Sequence, residues 1–216
     1  MTISLLVSAV LSVLTPVGPR NYESCTSIIE LDPEGGLDYA EAWQGEGGGA
    51  QARHCTAIAL IALDKPASAG AILARLAEEE VFDPGVSARL YLQAAEALMS
   101  GGRKEAAFRA LRGAYEKAPD TPEVHMSAAV IYATAEEWEG VILTLDALAR
   151  FADLSSDAFA LRGRAKFELE RYVEASRDVS DALALDPYLV DAIVLRGDLL
   201  NEGISIPNDP FTAPKE

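Results

Sequence analysis

The chain has 216 residues, of which 50% are hydrophobic and 7% aromatic, and 18 Lys and Arg stand against 34 Asp and Glu for a formal net charge of −16. That charge argues against nucleic acid and anionic lipid surfaces as partners, since both are repelled across the Debye length, and it favours a neutral or basic protein. The Ala and Leu content favours helices over strands, and the length suits one elongated domain with a buried core.

From Ile3 to Leu14 the chain is uncharged and apolar, and Thr15, Pro16 and Gly18 follow. This stretch resembles an export signal, placed at residues 1–20, with the mature chain expected to start between Pro16 and Asn21. No Lys or Arg precedes it. It falls short of the roughly 20 apolar residues that a membrane span needs, so no stable span is expected. Tyr22, Glu23 and Ser24 ahead of Cys25 lack the small and aliphatic residues of a bacterial lipoprotein site. The competing reading is a buried first helix, which Pro16, Gly18 and Pro19 would stop early.

Residues 21–49 read as a short helical pair. Asn21 is the N-cap of a helix with Tyr22, Cys25, Ile28 and Ile29 on one face, and Asp32 and Pro33 end it. Leu37, Ala40 and Trp43 give the second helix its apolar stripe, and Gly45 to Gly49 stop it. No strand precedes these glycines and no Lys-Ser or Lys-Thr follows, so they are not a phosphate loop.

Four longer hairpins come next. The first, 50–86, carries Ala57, Ile61, Ala69, Leu73 and Leu76 and bends at Asp64, Lys65 and Pro66, with a loop at Asp83, Pro84 and Gly85. The second, 87–121, turns at Gly101 and Gly102 and closes at Pro119. The third, 122–155, has Trp138 where the fourth, 156–189, has Tyr172, and Asp153 replaces its closing proline. In the fourth, Leu161, Ala165 and Leu169 precede a bend at Glu170 and Arg171, and Tyr172, Ala175, Val179 and Ala182 follow. At an offset of 34 residues Ala175 maps to Val141 and Ala107, Val179 to Leu145 and Leu111, Ala182 to Leu148 and Ala114, and Gly163 to Ala129 and Ala95. Small residues at such places let helices cross at about 8 to 10 Å. Residues 190–202 start a fifth unit, with Arg196 and Gly197 repeating Arg162 and Gly163, and are expected to cap the stack with Asp191, Asp198 and Glu202 outward. Residues 203–216 read as a flexible tail.

This period, with its small crossing residues and closing prolines, resembles the tetratricopeptide repeat. The fold expected is all-α, an α-solenoid of such hairpins with a degenerate first pair and a C-terminal capping helix. Stacking would place Cys25 beside Cys55, the only cysteines, and with an export signal ahead of them a disulfide is expected, constraining the unfolded chain by roughly 3 to 4 kcal/mol. Metal binding by His54 and His125 is not expected, because the two lie hairpins apart; both histidines read as helix-surface or groove residues.

In the family, the first helices of successive hairpins line a concave face that holds partner segments. The resemblance puts His54, Arg89, Leu92, Glu96, Met99, Met126, Val130, Arg164 and Phe167 along it. For any one of Leu92, Met99, Met126 and Phe167, ordinary contact between hairpins is the competing and more common role. The Lys, Asn and Arg clamp with which some members grip a terminal carboxylate is missing, the matching places being Leu92, Gln93 and Glu96 or Ala160, Leu161 and Arg164. No nucleophile with its base, metal cluster or cofactor loop is present in the sequence, so neither catalysis nor a cofactor is expected. The function expected is a non-enzymatic, protein-binding scaffold of the bacterial envelope, periplasmic or otherwise exported, monomeric or weakly self-associating. The alternative is a cytosolic, co-chaperone-like adaptor that keeps its N-terminal helix.

Overall fold

The structure, a computed structural model, describes residues 19–79 and 82–212. The apolar stretch read as an export signal lies outside the described residues. Among the described residues there are eleven helices and no strand: α1 (Tyr22–Leu31), α2 (Pro33–Gly45), α3 (Gly49–Ala62), α4 (Pro66–Glu79), α5 (Pro84–Ser100), α6 (Lys104–Lys117), α7 (Pro122–Thr134), α8 (Trp138–Leu148), α9 (Ser156–Glu168), α10 (Tyr172–Leu185) and α11 (Val190–Asn201).

Helix starts follow local chemistry. Asn21 Oδ1 accepts the Ser24 N–H at 2.9 Å, Ser155 Oγ accepts that of Ala158 at 3.2 Å, and Asp32 ends α1 and caps α2, accepting the Gly35 N–H at 3.1 Å. Helices α2, α4, α5 and α7 all open on a proline, whose missing N–H costs nothing in a first turn. At α5 this shifts an expected boundary: Asp83 caps the helix and Pro84 starts it, where the sequence reading placed a loop and a start near Ser87. The same two residues signal a loop or a helix start, and here the start wins.

The bends repeat with the period. Asp64, Gly102, Glu136, Glu170 and Gly203 all have positive φ. Each is followed by an N–H that reaches back to a carbonyl in the last turn of the preceding helix: Lys65 to Leu60, Arg103 to Leu98, Glu137 to Tyr132, Arg171 to Lys166 and Ile204 to Leu199, at 2.8 to 2.9 Å. This left-handed C-terminal motif reverses the chain in two or three residues, which is why each hairpin is tight.

Buried side chains form four successive clusters along the stack. Burial of Leu73, Leu111, Leu145 and Leu183 supplies about 1.5 to 3 kcal/mol each. Ala107 and Ala175 are fully buried at crossings, and a Cβ on Gly163 would meet Asp178 Cβ and Leu195 Cδ2, both at 3.2 Å. Cys25 on α1 and Cys55 on α3 are joined by a disulfide, with Cα atoms 6.5 Å apart. It pins the first pair of helices to the repeats.

Three expectations change. His125 is buried, not on a surface or groove: its ring lies between Tyr115 and Phe151, with Nε2 at 2.8 Å from the Pro119 carbonyl and Nδ1 at 3.3 Å from that of Thr144. Residues 203–212 are packed onto the fold, because Ile206 is 7% exposed in the last cluster and Asp209 takes a forked ion pair from Arg196 at 2.6 to 2.9 Å. Proline and polar content marked these residues as a tail, yet one Ile and one Asp suffice to anchor them. Asp198 does not face outward either; it pairs with Arg164 of α9 at 2.8 Å.

Candidate functional site

Among the described residues, hollows lie along the first helices of the hairpins. One, about 320 Å³, opens between α1, α3 and α5, with Leu76, Val86 and Leu90 as its apolar wall and Tyr22, Arg89 and Gln93 at its edge. A second, about 410 Å³, lies further along α3 and α5 among Ile58, Ile61, Leu73, Glu96 and Ser100. His54 and Gln93 line both and so form the wall between them. The third, about 280 Å³, lies between α9 and α11 among Asp157, Leu161, Arg164, Asp191 and Val194.

That wall is a hydrogen-bonded chain across three helices. His54 Nε2 lies 3.0 Å from Gln93 Oε1, and His54 Nδ1 lies 2.8 Å from the Tyr22 hydroxyl. A proton on Nε2 satisfies both contacts, since Gln93 Oε1 accepts and the Tyr22 hydroxyl then donates to Nδ1. Burial pushes the Tyr22 hydroxyl above its usual range. Loss of water likewise raises the Glu96 carboxyl, so this acid at the edge of the second hollow protonates more readily than a free glutamate.

The candidate groove residues divide by role. His54, Arg89 and Glu96 border the two α3–α5 hollows, and Val130 on α7 is exposed. Leu92 is 7% exposed and belongs to the core, and Met99 and Met126 are partly buried against neighbouring clusters. Arg164 stacks over Phe167 with 5.3 Å from its guanidinium carbon to the ring centre, while Phe167 packs against Tyr172. Thus Leu92 serves packing, as its competing role allows. Tyr22, Phe82 and Val86 were not expected at a site. Tyr22 belongs to the degenerate first pair, and Phe82 and Val86 flank the Asp83 to Gly85 stretch read as a loop between hairpins, so no repeat register pointed to them.

A further ionic cluster is structural. Asp178, buried on α10, accepts from Arg162 Nε and Nη2 at 3.1 and 2.7 Å and from Lys166 Nζ at 2.7 Å, and Arg162 also reaches Asp146 at 2.8 Å. Burial works against the Arg162 charge, but its bonds to Asp178 outweigh this and hold its pKa above the ordinary value. Among the described residues no group of three or more His, Cys, Asp or Glu is placed to hold a metal ion, and no helix is long and apolar enough to cross a membrane.

No protein-family profile and no curated protein matches the chain. Solved structures do. YrrB, described as a TPR protein with an unusual peptide-binding site, superposes with a TM-score of 0.63 at 15% identity over 82% of this chain and 88% of its own. The pilF protein of Pseudomonas aeruginosa gives 0.58 at 12% identity over 82% and 80%, and a tetratricopeptide repeat protein from Parabacteroides merdae gives 0.53 at 16% over 83% and 70%. The chain therefore has the tetratricopeptide-repeat fold, an all-α helical solenoid.

Proposed function

We propose that this chain is a non-enzymatic scaffold of the bacterial cell envelope that holds a segment of a protein partner along the face of its first helices. The observation that carries the reading is the pair of hollows on either side of the His54–Gln93 wall. Each offers an apolar wall with a few polar groups at the edge, the arrangement that seats apolar side chains while orienting a backbone. Arg89 and Glu96 stand at opposite ends to set direction, and Met99, Met126, Val130, Arg164 and Phe167 continue the track toward the third hollow. The overall charge of −16 selects a neutral or basic segment and predicts an association rate that falls with salt. The peptide-binding site for which YrrB is described supports the same use of the fold. The apolar stretch Ile3 to Leu14 and the disulfide both support an exported, oxidising location.

A photoreactive residue placed at Gln93 or Glu96, and for comparison at Arg112 on α6, tests this in intact cells. The same partner should crosslink from both first-helix positions and not from Arg112. Crosslinks from Arg112 alone would place binding on the other face.

A further inference from the structure

At about 100° per residue, Ala192, Leu195 and Leu199 form the buried stripe of α11. On the opposite side Leu200, Ile193, Gly197, Val190, Asn201 and Val194 span an arc of about 120°, and Asn201 is its one polar member. Val190 is 68% exposed, Val194 51%, and Tyr188 just before the helix 82%. The outer side of the last described helix, which solubility would make polar at the end of a stack, is therefore apolar. The other end follows the rule, since Glu23, Ser27 and Glu30 are the exposed residues of α1 alongside Leu31.

The repeat register says what this face is shaped for. One period earlier, on α9, Val194, Gly197 and Leu200 correspond to Ala160, Gly163 and Lys166, all buried under α10 and α11. A Cβ on Gly163 would touch Asp178 Cβ of α10 and Leu195 Cδ2 of α11, whereas a Cβ on Gly197 would meet nothing within 4 Å. The place of α10 is already taken on α11. The chain bends at Gly203 with the motif seen at Glu170, and Asp209 binds Arg196 with the same two-pronged geometry by which Asp178 binds Arg162. What the described residues leave without a counterpart is α11 itself, a helix whose Ala192, Leu195 and Leu199 stripe crosses the small residue of the previous unit.

We propose that the outer face of α11 is a second docking surface, which receives a cationic amphipathic helix whose Ala and Leu stripe seats over Gly197. Charge decides between this occupant and a second copy of the chain. Asp191 and Glu202 are the acidic groups on one flank of the arc, where Asp198 is already paired with Arg164, and Arg196 on the other flank is held by Asp209. A second copy would bring the same acidic flank or the acidic end at α1, and each copy carries a net charge of −16. A helix with Lys or Arg beside its apolar stripe meets the flank favourably. The surface is separate from the hollows beside His54, and although Asp191 and Val194 also line the third hollow, Gly197 does not, so Gly197→Leu tells the fate of this surface from that of the groove.

The probe is a fluorescent peptide of residues 189–202 with Asp191, Asp198 and Glu202 changed to Lys, held helical by a staple on its outer side because so short a helix is marginal in water. Anisotropy titration of the full chain should show saturable binding that weakens with salt. Gly197→Leu fills open space on a helix, so the variant should keep its circular dichroism yet bind about tenfold more weakly or worse, as should Val194→Asp. A Leu195→Asp, Leu199→Asp version of the peptide should not bind. The proposal is overturned by a Kd above roughly 1 mM for the wild type, by equal binding to Gly197→Leu, or by equal binding of the Asp-substituted peptide. Sedimentation of the protein alone adds one further outcome: a dimer that Gly197→Leu dissolves assigns the face to a second copy and also overturns it.

Discussion

Asp178 shows how one side chain can hold a hairpin. Its carboxylate is buried among Arg162 and Lys166, which are nearly buried themselves, so removing it takes the ion-pair partner from Lys166 and leaves Arg162 with the more exposed Asp146 alone. Asp178→Ala should cost about 3 kcal/mol or more in urea melts, where exposed ion pairs contribute roughly 0 to 1 kcal/mol. Ala175, fully buried in the same hairpin, has no spare volume, and Ala175→Leu should cost about 1 to 3 kcal/mol against less than about 0.5 for Glu79→Gln on the surface. Equal melts for that last pair would mean the register is misplaced. Ala175 was legible in the sequence because its place in the 34-residue period holds Val141 and Ala107, compact apolar residues that fit a helix crossing. Asp178 was not, because an aspartate within a helix gives no sign of whether it meets water or an arginine sixteen residues back.

Among the elements, the terminal ones depend on one or two links. Among the described residues no repeat covers the outer side of the α1–α2 pair, and the Cys25–Cys55 bond across 30 residues is the tie that a hydrophobic contact set of this size needs. Thiol titration of denatured, non-reduced protein should find no free thiol, and Cys25→Ala with Cys55→Ala should lose about 3 kcal/mol. At the other end, residues 203–212 are held by the Arg196–Asp209 pair. The hydrogen bonds from Arg196 lower the Asp209 pKa below its unfolded value of 3.8. A lowered folded pKa means the contribution is fully present above that unfolded value and disappears as pH falls through the folded one. NMR should therefore show Asp209→Asn loosening this segment at pH 6, with the difference between variant and wild type shrinking only below about pH 4. The bends and helices were readable from proline, glycine and helical period. This anchor was not, since it lies outside the repeat register and its composition is that of a loop.

The molecule as a whole is a row of neighbours, and its stability should vary along the row. The largest cluster joins α3 to α7 around Leu73, Leu98 and Leu111, whereas among the described residues the last cluster is covered at its outer end by α11 and residues 203–212 alone. In a stack where each unit touches only the next, opening starts at the ends and costs less there than in the middle. Hydrogen exchange should rank α5 and α6 as most protected and α11 with its following segment as least. The first pair should be intermediate while the disulfide is intact, because opening α1 cannot carry it away from α3. Reduction should lower protection in α1 and α2 and leave α9 to α11 unchanged, which separates the covalent tie from general weakening. Uniform protection across all eleven helices, with or without reductant, would instead show that the stack opens only as one unit. Binding at either proposed surface should add protection locally, at α3 and α5 for a groove partner and at α11 for a cationic helix, so the same experiment locates each contact in the row.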